Sequence, residues 1–298
     1  MKKIIAIAMS VLLVMALFAG CAASGNDAGN TGNGAGNGAG NEAGNAPAVQ
    51  TVIPGQLTVA LAPDFAPMEF VDTDGNFAGF DVFLAQYIAD ELDLTLVIMP
   101  MSFDACQTAV EMGTVDMSIS GFSWTEERAE YYNLSNYYHA GDNEDEQVLI
   151  TLSGNEGMYD SAEELNGVKV GAQVASLQES LVKEQLPDSE LVTVSDLGVA
   201  LEQMRNGDCA VLAVAKGNGE AIIANNDDII FAGFNFEVDE KYTGNVILMQ
   251  KGNDQLTTVV NDLLAQSEAA GLWVTWYAEA ESTAGIDVSY DDEGNKIE

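Results

Sequence analysis

Apolar and polar residues alternate along residues 115–120, and this period of two predicts a β-strand. The apolar positions are Val115, Met117 and Ile119, and the polar ones are Asp116, Ser118 and Ser120. Gly121 ends the alternation, and glycine allows another group to approach the backbone closely. Ser123 and Thr125 are alternative N-caps for a short helix that begins just after the break.

Arg128 lies in the first turn of that predicted helix. A cation there opposes the helix dipole by about 0.3 to 1 kcal/mol, so we expect an anion beside it. One candidate is a small carboxylate ligand, because ligands bind at the carboxyl ends of strands in open α/β sheets. The alternative is an ion pair with Glu126 or Glu127. The chain has only one other arginine, Arg205, and a two-pronged contact with a carboxylate requires arginine rather than lysine, which favours the ligand.

Strands and helices alternate along the rest of the chain in two blocks, which predicts mostly parallel sheets with helices on both faces. The first block has strands at 56–62 and 95–99, a helix with apolar residues between 83 and 92, and a helix at about 104–112. The second has a capping signal at 161–164, strands at 168–173, 191–194 and 210–214, and helices at 177–185 and 197–206. A short strand at 229–231, a strand at 245–250 and a helix with apolar residues at 256–264 follow. Trp273 and Trp276 are expected to be packing anchors, and the chain becomes acidic and Gly-rich after Ala280.

The N-terminal segment has the pattern of an export signal. Two lysines precede an apolar run at 4–18 that is too short for a confident membrane span. Residues 17–21 resemble a bacterial lipobox, which implies a signal peptide over 1–20 and a lipid on Cys21. Phe18 departs from the leucine usual at its position. The Gly- and Asn-rich stretch 21–50 predicts a flexible tether, whose 27 or so low-complexity residues would reach roughly 30 Å.

The formal net charge of −37 excludes some classes of partner. Such an acidic chain repels nucleic-acid phosphates and anionic lipid heads. The single histidine, His139, argues against histidine catalysis or a multi-histidine metal site, and we expect no cofactor. The acidic run 142–146 lacks the alternating ligands of a calcium loop, so we interpret it as a solvated insert. Cys106 and Cys209 are expected to be buried free thiols.

From about residue 56 to residue 278 the chain resembles the polar amino-acid family of ABC-transporter solute-binding proteins. The motifs that carry this resemblance are Ala66-Pro-Met-Glu-Phe70, Asp74-Gly-Asn-Phe-Ala-Gly-Phe-Asp81, the stretch 113–121 with Thr125-Glu-Glu-Arg128, Leu165-Asn-Gly-Val-Lys-Val-Gly-Ala-Gln173 and Lys251-Gly-Asn253. The resemblance implies a periplasmic-binding-protein-like type II fold, in which two α/β lobes close on a ligand held in the cleft between them. It places lobe 1 at 51–140 plus 244–280, lobe 2 at 141–243 and an acidic tail at 281–298.

The same resemblance implies a ligand site. Arg128 would bind the α-carboxylate of the ligand, with help from Gly121 and Ser123. Ser120 is a further expected ligand-binding residue. Ser176 would supply a hydroxyl from lobe 2. The aromatic walls would be Phe65 and Phe103.

Two positions depart from the family pattern. The aspartate that takes the ligand ammonium falls on Ala215, or on Val214 if one residue is gapped, and neither ionises. The acid that holds a basic side chain falls near Ala62. Three alternatives could compensate for the missing aspartate at Ala215: Glu220, backbone carbonyls with water, or a ligand without a free ammonium. The missing acid near Ala62 disfavours lysine, arginine and histidine as ligands.

These features favour an extracytoplasmic, lipid-anchored binding protein that delivers an amino acid or a related acid to an ABC permease. Relatives of the fold include dehydratase-like enzymes, so an enzyme is the alternative. It would need a general acid, for which Glu69 and Glu220 are the candidates. A ligand sensor is a third possibility.

Overall fold

The computed structural model describes residues 49–138 and 146–286 and the backbone of residues 289–290 and 296–297. In that part of the chain the strands are β1 (Gln56–Leu61), β2 (Asp64–Phe65), β3 (Glu69–Val71), β4 (Phe77–Ala78), β5 (Thr95–Pro100), β6 (Met117–Ser123), β7 (Tyr132–Leu134), β8 (Gln147–Leu152), β9 (Lys169–Gln173), β10 (Glu190–Val194), β11 (Val211–Ala215), β12 (Ile229–Phe236), β13 (Asn245–Gln250), β14 (Ser289–Tyr290) and β15 (Lys296–Ile297). The helices are α1 (Phe80–Glu91), α2 (Phe103–Glu111), α3 (Glu126–Tyr131), α4 (Leu177–Gln185), α5 (Leu197–Asn206), α6 (Lys216–Ala224), α7 (Asp254–Ala269) and α8 (Leu272–Thr283), with a 3-10 turn at Glu240–Tyr242.

Lobe 1 is built on a five-stranded sheet in the order β5-β1-β6-β13-β7. Strand β1 pairs in parallel with β5 and β6, and β13 enters antiparallel between β6 and β7. Because β13 comes from beyond residue 244, this lobe uses two separate parts of the chain. Its central strands are buried along nearly their whole length, as expected for strands covered by helices on both faces.

Helices α1, α7 and α8 pack together on one face of that sheet. Leu84 and Ile88 of α1 share a buried cluster with Leu256 and Val260 of α7, which confirms the apolar repeats expected for both helices. Trp276 lies edge-on against Phe80 with 6.0 Å between ring centroids, as expected for a packing anchor.

Lobe 2 is built on a second five-stranded sheet in the order β10-β9-β11-β8-β12. Strands β9, β10 and β11 are parallel, β8 pairs antiparallel with β11, and β12 pairs antiparallel with β8 at the edge of the sheet. Helix α4 covers one face and α5 the other, each with its own buried cluster. The two lobes together confirm the expected α/β fold with two sheets.

The chain passes between the lobes in adjacent segments. Tyr138 and Asn245 form an antiparallel bridge in which each backbone N–H donates to the carbonyl of the other, at 2.9 and 3.2 Å. Both residues are fully buried, so the two segments are paired inside the protein at this point.

Several expectations for secondary structure need correction. The capping contacts at Ser161 and Glu164 form, but turns rather than a helix follow them. Helix α6 was not expected, and β12 extends five residues beyond residue 231. Helix α8 continues past residue 280, with Glu281 buried, so the acidic tail begins later than expected.

Cys106 and Cys209 are buried free thiols, as expected. Cys21, the signal and almost all of the tether, His139 and the acidic insert apart from Glu146 lie outside the described residues. Among the residues that are described, no helix has the length and apolar character to cross a membrane, and no cluster of His, Cys, Asp and Glu is suited to hold a metal ion.

Candidate functional site

A cavity lies between the two lobes at the carboxyl ends of strands β6 and β9. Its lining includes all seven residues expected at the ligand site, together with three from lobe 2: Phe65, Phe103, Ser120, Gly121, Ser123, Arg128, Gln173, Ser176, Leu177 and Gln178. The enclosed space is about 20 Å³, which is room for about one water molecule. An amino acid could therefore enter only if the lobes separated.

Gly121 bends the strand that forms the cavity floor. Its φ of +51° lies in the left-handed region, and a Cβ atom there would stand 2.9 Å from a ring carbon of Phe65. The pairing of β6 with β13 shifts register at this point, as at a β-bulge. Gly121 therefore allows both the bend in the strand and the close approach of the Phe65 ring.

Arg128 is held in the cleft by the start of α3. Thr125 is the N-cap of this helix, and its hydroxyl accepts the Arg128 backbone N–H at 3.1 Å. The guanidinium donates to the Ser123 carbonyl at 2.5 Å and to the Ala175 carbonyl of lobe 2 at 2.9 Å. Only 5% of the residue is exposed. Glu126, one partner expected in an ion pair, forms a salt bridge with Lys241 at 2.8 Å.

Two aromatic rings enclose the guanidinium of Arg128. Its central carbon lies 5.6 Å from the ring centroid of Phe103 and 5.2 Å from that of Phe122. Cation–π attraction at these distances stabilises a charge that has lost most of its water. Arg128 also lines an adjoining groove of about 580 Å³, which shares Ser176 and Leu177 with the cavity.

Lobe 2 presents the N-terminus of α4 to the cavity. The Ser176 hydroxyl is the N-cap and accepts the Glu179 backbone N–H at 3.1 Å. The Glu179 carboxylate in turn accepts the Ala175 backbone N–H at 2.6 Å. These bonds hold Ala175 at a φ of +61°, a left-handed conformation that costs alanine about 1 to 2 kcal/mol.

Direct bonds between the lobes show that the structure is the closed form. Asp64 of lobe 1 accepts hydrogen bonds from the Gln173 side chain at 3.1 Å and from the Leu197 backbone N–H at 2.8 Å. Asn218 of α6 donates to the Ala66 carbonyl at 3.0 Å. Burial raises the pKa of Asp64 to about 6. Closure therefore depends on specific polar contacts as well as on Arg128.

Two buried carboxyl groups lie directly beneath the cavity floor. The Ser120 hydroxyl donates to Glu69 at 2.5 Å, and the Gly121 backbone N–H donates to Asp81 at 2.8 Å. Both acids are fully buried. Burial and the neighbouring Asp81 carboxylate raise the pKa of Glu69 well above its usual range. Burial also raises the pKa of Asp81 to about 7.

The positions expected to lack an acid are apolar in the structure as well. Ala215 is fully buried at the end of β11, paired with Gln147 of β8, and Ala62 belongs to a buried apolar cluster. Glu220 is not among the residues that line the cavity. The described lining contains no aspartate or glutamate.

Sequence reasoning missed the lobe 2 residues Gln173, Leu177 and Gln178. Gln173 ends strand β9, and the carboxyl end of a parallel strand is a signal that could have identified it. Gln178 donates to the Gln147 side chain at 2.7 Å, and this contact between distant parts of the chain has no local sequence signal.

Comparison with known proteins is consistent with this geometry. Residues 57–279 match the family described as bacterial extracellular solute-binding proteins, family 3. The L-cystine-binding protein TcyJ of Escherichia coli is 27% identical over 236 residues, which are 79% of this chain and 85% of TcyJ. The crystal structure of the amino acid ABC transporter substrate-binding protein AbpA from Streptococcus pneumoniae, bound to L-arginine, superposes with a TM-score of 0.72 and 31% identity, covering 78% of this chain and 97% of AbpA. A cyclohexadienyl dehydratase of Pseudomonas aeruginosa is 26% identical over 155 residues, 51% of this chain and 56% of the enzyme.

Proposed function

Because the chain belongs to the bacterial extracellular solute-binding proteins of family 3, we propose that it binds one amino acid or a related small carboxylate between its lobes and delivers it to an ABC permease. The observation that carries this proposal is the buried guanidinium of Arg128, which lines the cavity and donates to carbonyls of both lobes. A ligand carboxylate bound there would replace neutral acceptors with a charged one, and charge-assisted bonds are about twice as strong.

The other lining residues have roles that follow from their chemistry. The hydroxyls of Ser123 and Ser176 can donate to the carboxylate, and the rings of Phe65 and Phe103 can enclose an apolar part of the ligand. The Asp64 contacts with lobe 2 would re-form when the cleft closes on its ligand. Solution scattering with saturating ligand should then give a smaller radius of gyration than scattering without it. An unchanged profile with bound ligand would contradict closure.

We expect a ligand with a neutral or apolar side chain. The reason is the lining itself, which offers glutamine, serine and phenylalanine side chains but no carboxylate for a basic group. AbpA, a relative that was crystallised with L-arginine, favours a basic ligand instead. A thermal-shift screen of the twenty amino acids decides between them. Greater stabilisation by arginine or lysine than by every neutral amino acid would refute this expectation.

We also propose that Cys21 carries a lipid that tethers the protein to the extracytoplasmic face of the membrane. The support is the lipobox-like segment at 17–21 and the Gly- and Asn-rich stretch after it. Intact-mass analysis of protein from its own host should give a mature chain that begins at an acylated Cys21. Retention of Met1, or cleavage elsewhere without a lipid, would contradict the anchor.

A catalytic role is the second candidate, and the dehydratase relative and the buried Glu69 favour it. Glu69 contacts the cavity only through the Ser120 hydroxyl, which is indirect for a general acid. Incubation of the purified protein with a cyclohexadienyl acid should leave the compound unchanged. Turnover above the uncatalysed rate that is lost in Glu69→Gln would establish the enzyme instead.

A further inference from the structure

The ammonium group of an amino acid in this cleft needs a compensating negative charge. Leaving such a charge buried and unpaired would cost several kcal/mol. The family position for the aspartate is the buried Ala215, and the described residues that line the cavity include no acid. A buried carboxyl group just behind the lining is therefore a candidate source of this charge.

Resting on the proposed function, we propose that Glu69 and Asp81 together supply this negative charge, and that the Ser120 hydroxyl is the group that contacts the ligand ammonium. This assigns an ammonium subsite to the cavity floor in lobe 1, on the opposite side of the cleft from Ala215. It also assigns the ligand class, which is an amino acid with a free α-ammonium.

The hydrogen bonds of Ser120 leave it able to accept from a ligand. A hydroxyl has one donor and two acceptor lone pairs. Ser120 donates to Glu69 at 2.5 Å and accepts the Ala62 backbone N–H at 3.0 Å. One lone pair remains on an oxygen whose residue lines the cavity. An ammonium that donates to it would be joined to the Glu69 carboxyl through one hydroxyl.

The two acids are arranged to share one proton and keep one negative charge. The carboxyl groups of Glu69 and Asp81 interact with each other, and the neighbouring Asp81 carboxylate raises the pKa of Glu69. The second oxygen of each, Oε2 of Glu69 and Oδ1 of Asp81, is buried and has no hydrogen-bond partner among the described residues. A single proton shared by the two carboxyls would satisfy both oxygens and leave a net charge of about −1 above about pH 7, where Asp81 ionises, because two neighbouring buried carboxylates do not both stay ionised.

Groups from other elements hold this pair in place. Tyr138 of the crossing segment donates its hydroxyl to Asp81 at 3.1 Å, and the Gly121 backbone N–H donates to the same oxygen. Asp64 of β2 adds a further negative charge nearby, which raises the pKa of Glu69. These contacts place the negative charge under Ser120 and Gly121 rather than elsewhere in the lobe.

The test compares two ligands that differ only in the ammonium. The probes are the tightest-binding of the twenty amino acids and the α-hydroxy acid with the same side chain, and calorimetry gives both dissociation constants. The double variant Glu69→Gln/Asp81→Asn keeps the shape of the pair and an amide N–H between the groups but removes its charge. We expect a loss of at least tenfold in affinity for the amino acid and less than threefold for the hydroxy acid.

Single and control variants sharpen the result. Asp81→Asn removes one of the two carboxyl groups, so it should lose affinity for the amino acid selectively but by less than the double variant. Glu220→Gln, which lies outside the cavity lining, should bind as wild type does. Ser120→Ala, which keeps the acids, should lose amino-acid affinity selectively, and it remains informative if the double variant does not fold.

Three results would overturn the inference. Equal losses for both probes would mean that the pair only shapes the floor. A selective loss in Glu220→Gln with none in the double variant would place the charge in lobe 2. Failure of the wild-type protein to bind any amino acid would overturn the proposed function and this inference with it.

Discussion

Replacing Arg128 with lysine keeps a positive charge in the cleft but removes its planar, two-pronged shape. The arginine side chain reaches the Ser123 carbonyl with one terminal nitrogen and the Ala175 carbonyl with the other. A lysine ammonium is a compact point charge with no fixed fork. The variant therefore tests whether the shape of the group, and not only its charge, binds the ligand carboxylate.

The expected loss follows from one charge-assisted hydrogen bond. Such a bond contributes about 1.5 to 3 kcal/mol, which corresponds to a rise of roughly 10- to 150-fold in the dissociation constant. The rings of Phe103 and Phe122 that enclose the guanidinium leave little water to replace the lost bond, so we expect the upper half of this range. Calorimetry with the tightest amino acid measures it.

Arg205, the only other arginine in the chain, provides a matched control. It forms a two-pronged contact with Asp228 at 2.8 and 2.9 Å on the surface of lobe 2. Arg205→Lys should change stability by about 1 kcal/mol or less and leave the dissociation constant unchanged. Equal affinities of wild type and Arg128→Lys would refute the reasoning and make Arg128 a structural residue that joins the lobes.

Three further predictions concern stability. Gly121→Ala should lower the free energy of unfolding by at least 1 kcal/mol more than Gly75→Ala, because both residues have positive φ but only the Cβ at 121 meets a ring; equal losses in urea unfolding would discount that contact. Ala175→Gly should raise stability by up to about 1 kcal/mol by relieving its left-handed backbone, and a lower midpoint would show that alanine is not strained there. Burial raises the pKa of Asp81 to about 7, so ionisation of this carboxyl disfavours the folded state. The stability that the protonated carboxyl contributes at pH 4 is therefore lost as the pH rises through 7. The melting temperature should therefore fall between pH 5 and pH 8, and less steeply in Asp81→Asn; identical slopes would contradict this assignment.

The sequence predicted the elements that have strong local signals. The apolar repeat of α7 and the alternation along β6 were sufficient to identify both elements. Arg128 was identified because a cation at a helix start is unfavourable without an anion. Its burial in the cleft agrees with that reasoning, although ligand binding by Arg128 and the other lining residues stays a prediction.

What the sequence could not predict depends on contacts between distant residues. Helix α6 begins Lys-Gly-Asn-Gly, and glycine and asparagine are poor helix formers, so tertiary packing determines it. The Glu69 and Asp81 carboxyls lie on different elements, and nothing in either segment indicates that both are buried beneath the same site. Whether an acidic residue is a surface charge or a buried one is settled only by the fold.

The most direct test of the account is a crystal structure of the protein with the tightest amino acid from the screen. We predict closed lobes, with the ligand carboxylate about 2.7 to 2.9 Å from the Arg128 guanidinium nitrogens and the ammonium beside Ser120. A ligand bound outside the cleft, or one with its carboxylate away from Arg128, would contradict the account.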